Sequence, residues 1–343
     1  MILPTTYGAA LLLSILTMIC WGSWANTQKL SGKWRFELFY YDYALGLLIT
    51  ATILAFTFGT MGSELTFMDN MTITGKRQMA YAFAGGVIFN LANMLLVAAI
   101  AVAGLSVAFP VGIGLALVIG VIWNYIINPQ GNPLFLFSGA AVVAAAIVVD
   151  ALAYAAHAKD NAPPPPPGKK KPQGSLSAKG LILCCASGVL MGSFYPILEL
   201  SKAGDFALGP YAVGFVFAIG VFLSTFVFNL YFMNLPVQGA RVMFAQYFRG
   251  TVKQHLLGLL GGAIWCIGGV ANFVAASAPP EVNVGPAVSY ALGQGATLVS
   301  ALWGLLYWKE FSNPSPKVKQ LLILMLALFV IGLALVSIAP LRK

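Results

Sequence analysis

Ten side chains with aromatic or hydrogen-bonding groups stand inside apolar stretches of this chain, where a polar group is costly unless it faces a cavity or a partner helix. Trp21, Ser23 and Asn26 fall together in the first stretch, with Ser23 and Asn26 three residues apart on one helical face. Asn90 and Asn93 repeat that spacing, and Tyr290 and Gln294 are four apart. Trp265 and Asn272 are seven apart, with Gly268 and Gly269 leaving room between them. Tyr195 joins the set because it follows Gly192-Ser193-Phe194, a near copy of Gly22-Ser23-Trp24. Amides offer donors and an acceptor, while Trp and Tyr add a flat apolar face with one polar handle. Such a set suits a small, uncharged, polar solute. Any one of these residues could equally bond across a helix pair as packing; it is the group together that points to a solute site.

Charge narrows the chemistry. No Lys or Arg lies near the centre of an apolar stretch, so a phosphorylated or nucleotide-linked anion finds no counter-ion. Export of lipophilic cations is a weaker alternative, because the deepest acid, Asp150, lies only ~9 Å from the expected inner end of its stretch. Asp150 and Glu199, with Asp42 after them, are the candidates for proton coupling, since partial burial favours the protonated carboxyl. The competing reading makes them interfacial groups that snorkel or pair, Glu199 with Lys202 for instance.

Other chemistries find no support. His157 and His255 stand at the ends of apolar stretches and give no metal-ligand pattern. Cys20, Cys184, Cys185 and Cys266 lie inside them, without zinc-type spacing or a disulfide framework. The tract Pro163–Lys170 lacks the first glycine and final Ser or Thr of a phosphate-binding loop. Neither metal nor cofactor is expected, and no paired nucleophile and base suggests an enzyme. A channel would need a polar stripe from end to end, which these stretches lack. Asn70-Met71-Thr72 is a formal glycosylation sequon of a kind frequent by chance.

The elements that must position these groups follow from composition. The 343 residues are 59% hydrophobic and only 8% charged, against roughly 25% charged in soluble domains. Apolar runs of about 20 residues recur, the length a helix needs to cross ~30 Å of hydrocarbon. Spans are expected near 8–28, 40–60, 79–101, 106–127, 134–156, 180–200, 210–233, 256–277, 285–307 and 319–339. The first run has no basic leader or cleavage site before it and reads as a retained helix. The formal charge of +9 resides in connections rather than in a nucleic-acid-binding surface, and the bilayer is the expected partner.

Residues 157–179, with five consecutive prolines and a Lys-Lys-Lys run, read as a solvated linker between segments 1–156 and 180–343. Lys76, Arg77, Lys202, Arg342 and Lys343 fall on one side of ten spans and the remaining basic residues on the other. The positive-inside rule then places the linker in the cytoplasm and both termini outside a cell membrane.

The two segments echo each other. Gly22-Ser23-Trp24 with Leu30-Ser31 matches Gly192-Ser193-Phe194 with Leu200-Ser201, and Tyr43-Ala44 with Gly46 matches Tyr211-Ala212 with Gly214. Gly85-Gly86 followed by Pro110 matches Gly261-Gly262 followed by Pro286 at equal separation. The two prolines fall in first helical turns, where the missing N–H costs nothing. Gly188 with Gly192, and Gly258 with Gly262, are small-xxx-small pairs that permit close helix approach. Five spans per half is odd, so the second half must enter from the opposite side. The expected architecture is all-α, two inverted five-helix repeats with a site between them.

The motifs Trp21-Gly22-Ser23-Trp24-Ala25-Asn26-Thr27-Gln28-Lys29, Tyr41-Asp42-Tyr43, Ala55-Phe56-Thr57-Phe58-Gly59, Gly85-Gly86-Val87 and Gly104-Leu105-Ser106-Val107 resemble the drug/metabolite transporter superfamily. Within it they are similar to the ureide permeases and to the bacterial glucose/ribose-type sugar uptake proteins. The resemblance implies a secondary permease with a cavity lined by the first, third, fourth, sixth, eighth and ninth helices. It implies a ureide or nucleobase-like substrate such as allantoin, uracil or an oxopurine, or a monosaccharide, often with proton symport. The short central linker lacks the nucleotide-binding-like motif of plant ureide permeases.

Overall fold

A computed structural model describes residues 1–62, 65–103, 108–161, 178–236 and 239–342. The linker's proline run and Gly104-Leu105-Ser106-Val107 lie outside the described residues. No strand occurs among those described, and the helices begin where local chemistry starts them. Thr6 caps α1 (Tyr7–Ser23), which runs through a helical Trp24 into α2 (Ala25–Leu30). α3 (Phe36–Phe56), the short α4 (Phe67–Ile73) and α5 (Lys76–Ala103) follow. A π-helical turn, Phe109–Ile113, leads into α6 (Gly114–Ile127). Asn132 caps α7 (Pro133–Asp160), with proline in its first turn.

Past the linker come α8 (Ala178–Ser201) and α9 (Pro210–Asn234). The Thr251–Gln254 capping box then starts α10 (Val252–Ala275). The last apolar stretches form α11 (Pro286–Gln294), α12 (Ala296–Leu302) with a π-helical turn at Trp303–Tyr307, and α13 (Pro316–Ile338).

Eight of the described helices are long and apolar enough to cross a membrane, and Val111–Ile127 is a shorter apolar one. The expected ninth span is not one regular helix: α11 and α12 meet at Gly295 and end in the π turn. The expected fourth and ninth spans, which hold the matched Pro110 and Pro286, thus each carry a π turn, a backbone irregularity tolerated in lipid only where other groups satisfy it. α4 and the 3₁₀ turn Phe244–Arg249 are short elements that hydrophobic length alone does not announce.

Leu12, Ile53, Val227 and Ile323 are exposed on outer helix faces, as lipid contact requires. Inside, small residues set the spacing. A Cβ on Gly262 would stand 1.9 Å from the Tyr43 carbonyl oxygen, and one on Gly46 2.1 Å from that of Leu259, so α3 and α10 touch backbone to backbone. Gly188 and Gly192 do the same for α8 against the π turn and α6. Asn70 is buried, donating to the Ala207 carbonyl at 3.0 Å and accepting from the Gly209 amide at 2.8 Å, so its sequon is an internal tie.

The principal helix pairs are α5 with α8, α1 with α10, α3 with α10, α5 with α9, α6 with α8 and α1 with α11 and α12. α3 also packs on α9, α7 on α13 and α6 on α11.

Candidate functional site

A cavity of about 220 Å³ lies at the centre of the bundle. Its deep wall is aromatic. Trp21 of α1 stacks on Trp265 of α10 with centroids 5.5 Å apart and planes at 14°. Trp265 stacks in turn on Phe217 of α9 at 5.5 Å and leans on Phe89 of α5 at 4.4 Å. Gly268 and Gly293 make this possible, since a Cβ on either would stand 3.0 Å or less from the Trp21 ring. Around the slab, Asn93, Gln294, Gln28, Thr297 and Ser300 supply polar groups, and among the described residues no ionisable side chain lines the space. Asn93 is oriented by its donated bond to the Tyr40 hydroxyl at 3.0 Å, which leaves its carbonyl oxygen for a solute. Such walls bind flat, neutral, hydrogen-bonding molecules: a face to stack on and amides to read edges.

The lining runs from the middle of the helices toward the end where α2 and α5 finish and α8 begins, the end that carries the linker. The opposite end is sealed. Tyr195, Phe273 and Tyr290 are fully buried, with Tyr195 5.3 Å from Tyr290 and 5.7 Å from Phe273. The Tyr290 hydroxyl donates to the Ala116 and Met191 carbonyls, both at 3.2 Å, and holds α11 against α6 and α8. A Cβ on Gly120 would fall 2.2 Å from the Tyr290 ring. The cavity is therefore open toward one end and plugged at the other.

Four of the ten polar or aromatic residues singled out in the sequence, Trp21, Asn93, Trp265 and Gln294, line this cavity. Tyr195, Asn272 and Tyr290 sit in the plug, Asn272 donating to the Ser289 carbonyl at 3.0 Å. Asn90 faces α9, donating to the hydroxyls of Ser224 at 2.7 Å and Thr225 at 3.1 Å. Ser23 and Asn26 accept from the indole N–H groups of Trp303 at 2.8 Å and Trp308 at 2.6 Å. They belong to a latch at the cavity's open end, where Lys29 pairs with Glu310 and lies 4.3 Å over the Trp308 ring. Tyr154 donates to the same Glu310 at 2.8 Å. Burial raises the Glu310 carboxyl, but the Lys29 and Tyr154 hydrogen bonds outweigh it and hold the group below the usual glutamate range.

The three acids lie outside the cavity lining. Asp42 accepts from the Tyr247 hydroxyl at 2.5 Å and faces His255 Nδ1 at 2.8 Å. Burial, and then the Asp42 carboxylate, push the Tyr247 phenol well above its ordinary range. Glu199 pairs with Lys202 at 2.6 Å beyond the plug. Asp150 is buried on α7, one turn before Tyr154.

Gln28, Trp24, Thr297 and Ser300 line the cavity without having been singled out. The signal was available: Trp21, Trp24 and Gln28 form one stripe at helical spacing, as do Gln294 and Thr297.

Long apolar helices packed around a half-open polar cavity define a multi-pass membrane protein of the transporter class. The chain belongs to the ureide permease family, whose pattern it matches over residues 39–164 and 169–339. It is 26% identical to ureide permease 1 of Arabidopsis thaliana, across 95% of this chain and 96% of that protein. It is 24% identical to ureide permease 2 of the same plant, across 97% and 98%. A shorter match, 26% over 164 residues, reaches transmembrane protein 144 homolog B of Dictyostelium discoideum. A solved crystal structure superposes with a TM-score of 0.59 over 96% of each chain at 16% identity, a likeness of fold.

Proposed function

We propose that this chain is a secondary transporter that carries one small, flat, neutral ureide-type heterocycle, of the kind of allantoin, uracil or an oxopurine, across the cell membrane. The observation that carries this is the cavity itself: an indole slab for a ring face, amides for ring edges, and no charge to select an ion. The names of the Arabidopsis relatives agree with it.

The mechanism proposed is alternating access between two inverted repeats, residues 1–156 and 180–343, joined by a cytoplasmic linker at 157–179. The helix pairing supports it. Exchanging α1 with α8, α3 with α9, α5 with α10, α6 with α11 and α12, and α7 with α13 returns the same set of principal contacts. On this reading the cavity faces the cytoplasm, and the tyrosine plug closes the other side. Protons are the proposed coupling ion. Asp42, Asp150 and Glu199 would act by moving helices, since none of them reaches the cavity lining.

The test is uptake of labelled allantoin into proteoliposomes, competed in turn by uracil, xanthine, glucose and ribose. Saturable uptake displaced by the heterocycles, and lost in Trp21→Ala that still inserts and folds, is expected. Uptake of a monosaccharide that no heterocycle displaces would move the substrate to the sugar class, and a flux that never saturates would make the protein a channel.

A further inference from the structure

The plug is not an ordinary apolar seal. Asn272 Oδ1 and Asn124 Oδ1 are buried there without any hydrogen-bond partner, the Tyr195 hydroxyl has only the Ser289 side chain facing it, and all three residues are 0% exposed. In a protein surrounded by lipid, unpaired buried groups are costly and rare. Ser289 joins them: its carbonyl accepts from the Asn272 side-chain amide at 3.0 Å, and its hydroxyl donates to the Asn272 carbonyl at 3.3 Å.

Their sequence positions give the pattern a meaning. In the register that matches Gly22 to Gly192, Tyr195 is the counterpart of Ala25; in the register that matches Gly85 to Gly261 and Pro110 to Pro286, Asn272 answers to Leu96. The same register pairs Ser289 with Ile113 and Asn124 with Ser300. Ala25, Leu96, Ile113 and Ser300 all line the open cavity. The buried polar groups of the sealed half thus occupy the positions that, in the other half, face the solute path. Along α6, α10 and α11 they also run toward the ends away from the linker.

We propose that Tyr195, Asn272, Ser289 and Asn124 line the second mouth of the transport path, closed here, and form a polar station for the same solute when the bundle opens to that side. The proposal rests on the inverted-repeat reading above. Separation of α11 from α6 and α8 breaks the two bonds of the Tyr290 hydroxyl and gives the stranded groups water or solute as partners. Three of the four counterparts on the open side, Ala25, Leu96 and Ile113, are apolar, so the two mouths differ: one half reads the solute with Gln28, Asn93 and Gln294, the other with Tyr195 and two asparagines.

The test uses full-length protein carrying Cys185→Ala, which removes the exposed native thiol. Single cysteines are introduced as Ser289→Cys in the plug, Ser300→Cys in the open cavity, and Val121→Cys as a second plug variant that adds no bulk, at a buried position beside Gly120 that the same register matches to the cavity-lining Thr297. Each is treated with a small, membrane-impermeant cationic methanethiosulfonate in right-side-out and inside-out vesicles, with and without allantoin. Ser289→Cys and Val121→Cys should react only from the face opposite the linker, at a rate that allantoin changes several-fold. Ser300→Cys should react from the linker face. If Ser300→Cys reacts and neither plug variant reacts from either face, the second mouth is overturned while the open cavity stands. If the plug variants react from the linker face, the mirrored repeats fall with it, and silence at all three positions overturns the cavity as well.

Discussion

Asn93 offers the sharpest test of how the cavity reads its solute, because one neighbour orients it without lining the space. Its amide N–H donates to the buried Tyr40 hydroxyl at 3.0 Å. Asn93→Ala removes one solute hydrogen bond from a poorly hydrated site, about 1–3 kcal/mol, or roughly a 5- to 150-fold rise in half-saturating concentration. Tyr40→Phe leaves the amide in place but frees it to rotate, which forfeits an orienting bond of about 0.5–1.5 kcal/mol, roughly 2- to 12-fold. The two losses overlap: once the amide is gone, the tyrosine hydroxyl has nothing to hold, so the double variant should resemble Asn93→Ala alone. Concentration-dependent uptake in proteoliposomes reads all three, with thermal unfolding in detergent to show that each variant is folded. Uptake indifferent to Asn93→Ala would refute the assignment. Multiplying losses in the double variant would refute the orienting role of Tyr40.

Gly120→Val should loosen the Tyr290 plug, since a Cβ there falls 2.2 Å from the ring; overpacking of this kind costs about 1–3 kcal/mol, visible as a lower Tm in detergent. Gly262→Ala should be at least as damaging, because the atom it meets at 1.9 Å is the Tyr43 backbone oxygen, which cannot rotate aside, and a fall in folded yield would show it. Glu310, held below the usual glutamate range, contributes stability that is present above its unfolded value of about 4.3 and is lost as pH falls through its lower folded value. Thermal unfolding should therefore weaken in acid for the parent protein and show less of that acid dependence in Glu310→Gln. Asp150→Asn should leave binding of allantoin in thermal-shift assays unchanged, the residue being remote from the cavity lining, while flattening the pH dependence of uptake.

Much of this molecule is legible in its sequence because lipid imposes two local rules. A span must be apolar for about 20 residues, and every backbone group must bond within it; hydrophobic length and prolines at first turns therefore announce the long helices one by one. Glycine pairs such as Gly258 with Gly262 announce a close neighbour in the same way, since only a missing side chain lets backbones meet. What the sequence leaves open is which neighbour a polar face meets. Asn90 and Asn93 are three residues apart on one helix, yet one is consumed by hydroxyls on α9 and the other opens on the cavity. Ser23 and Asn26 look like Trp21's companions until two distant tryptophans claim them. Period fixes the face a residue occupies, while the partner on that face comes from elsewhere in the chain. Only the assembled bundle decides whether an amide is bonded, stranded in the plug or left free for a solute.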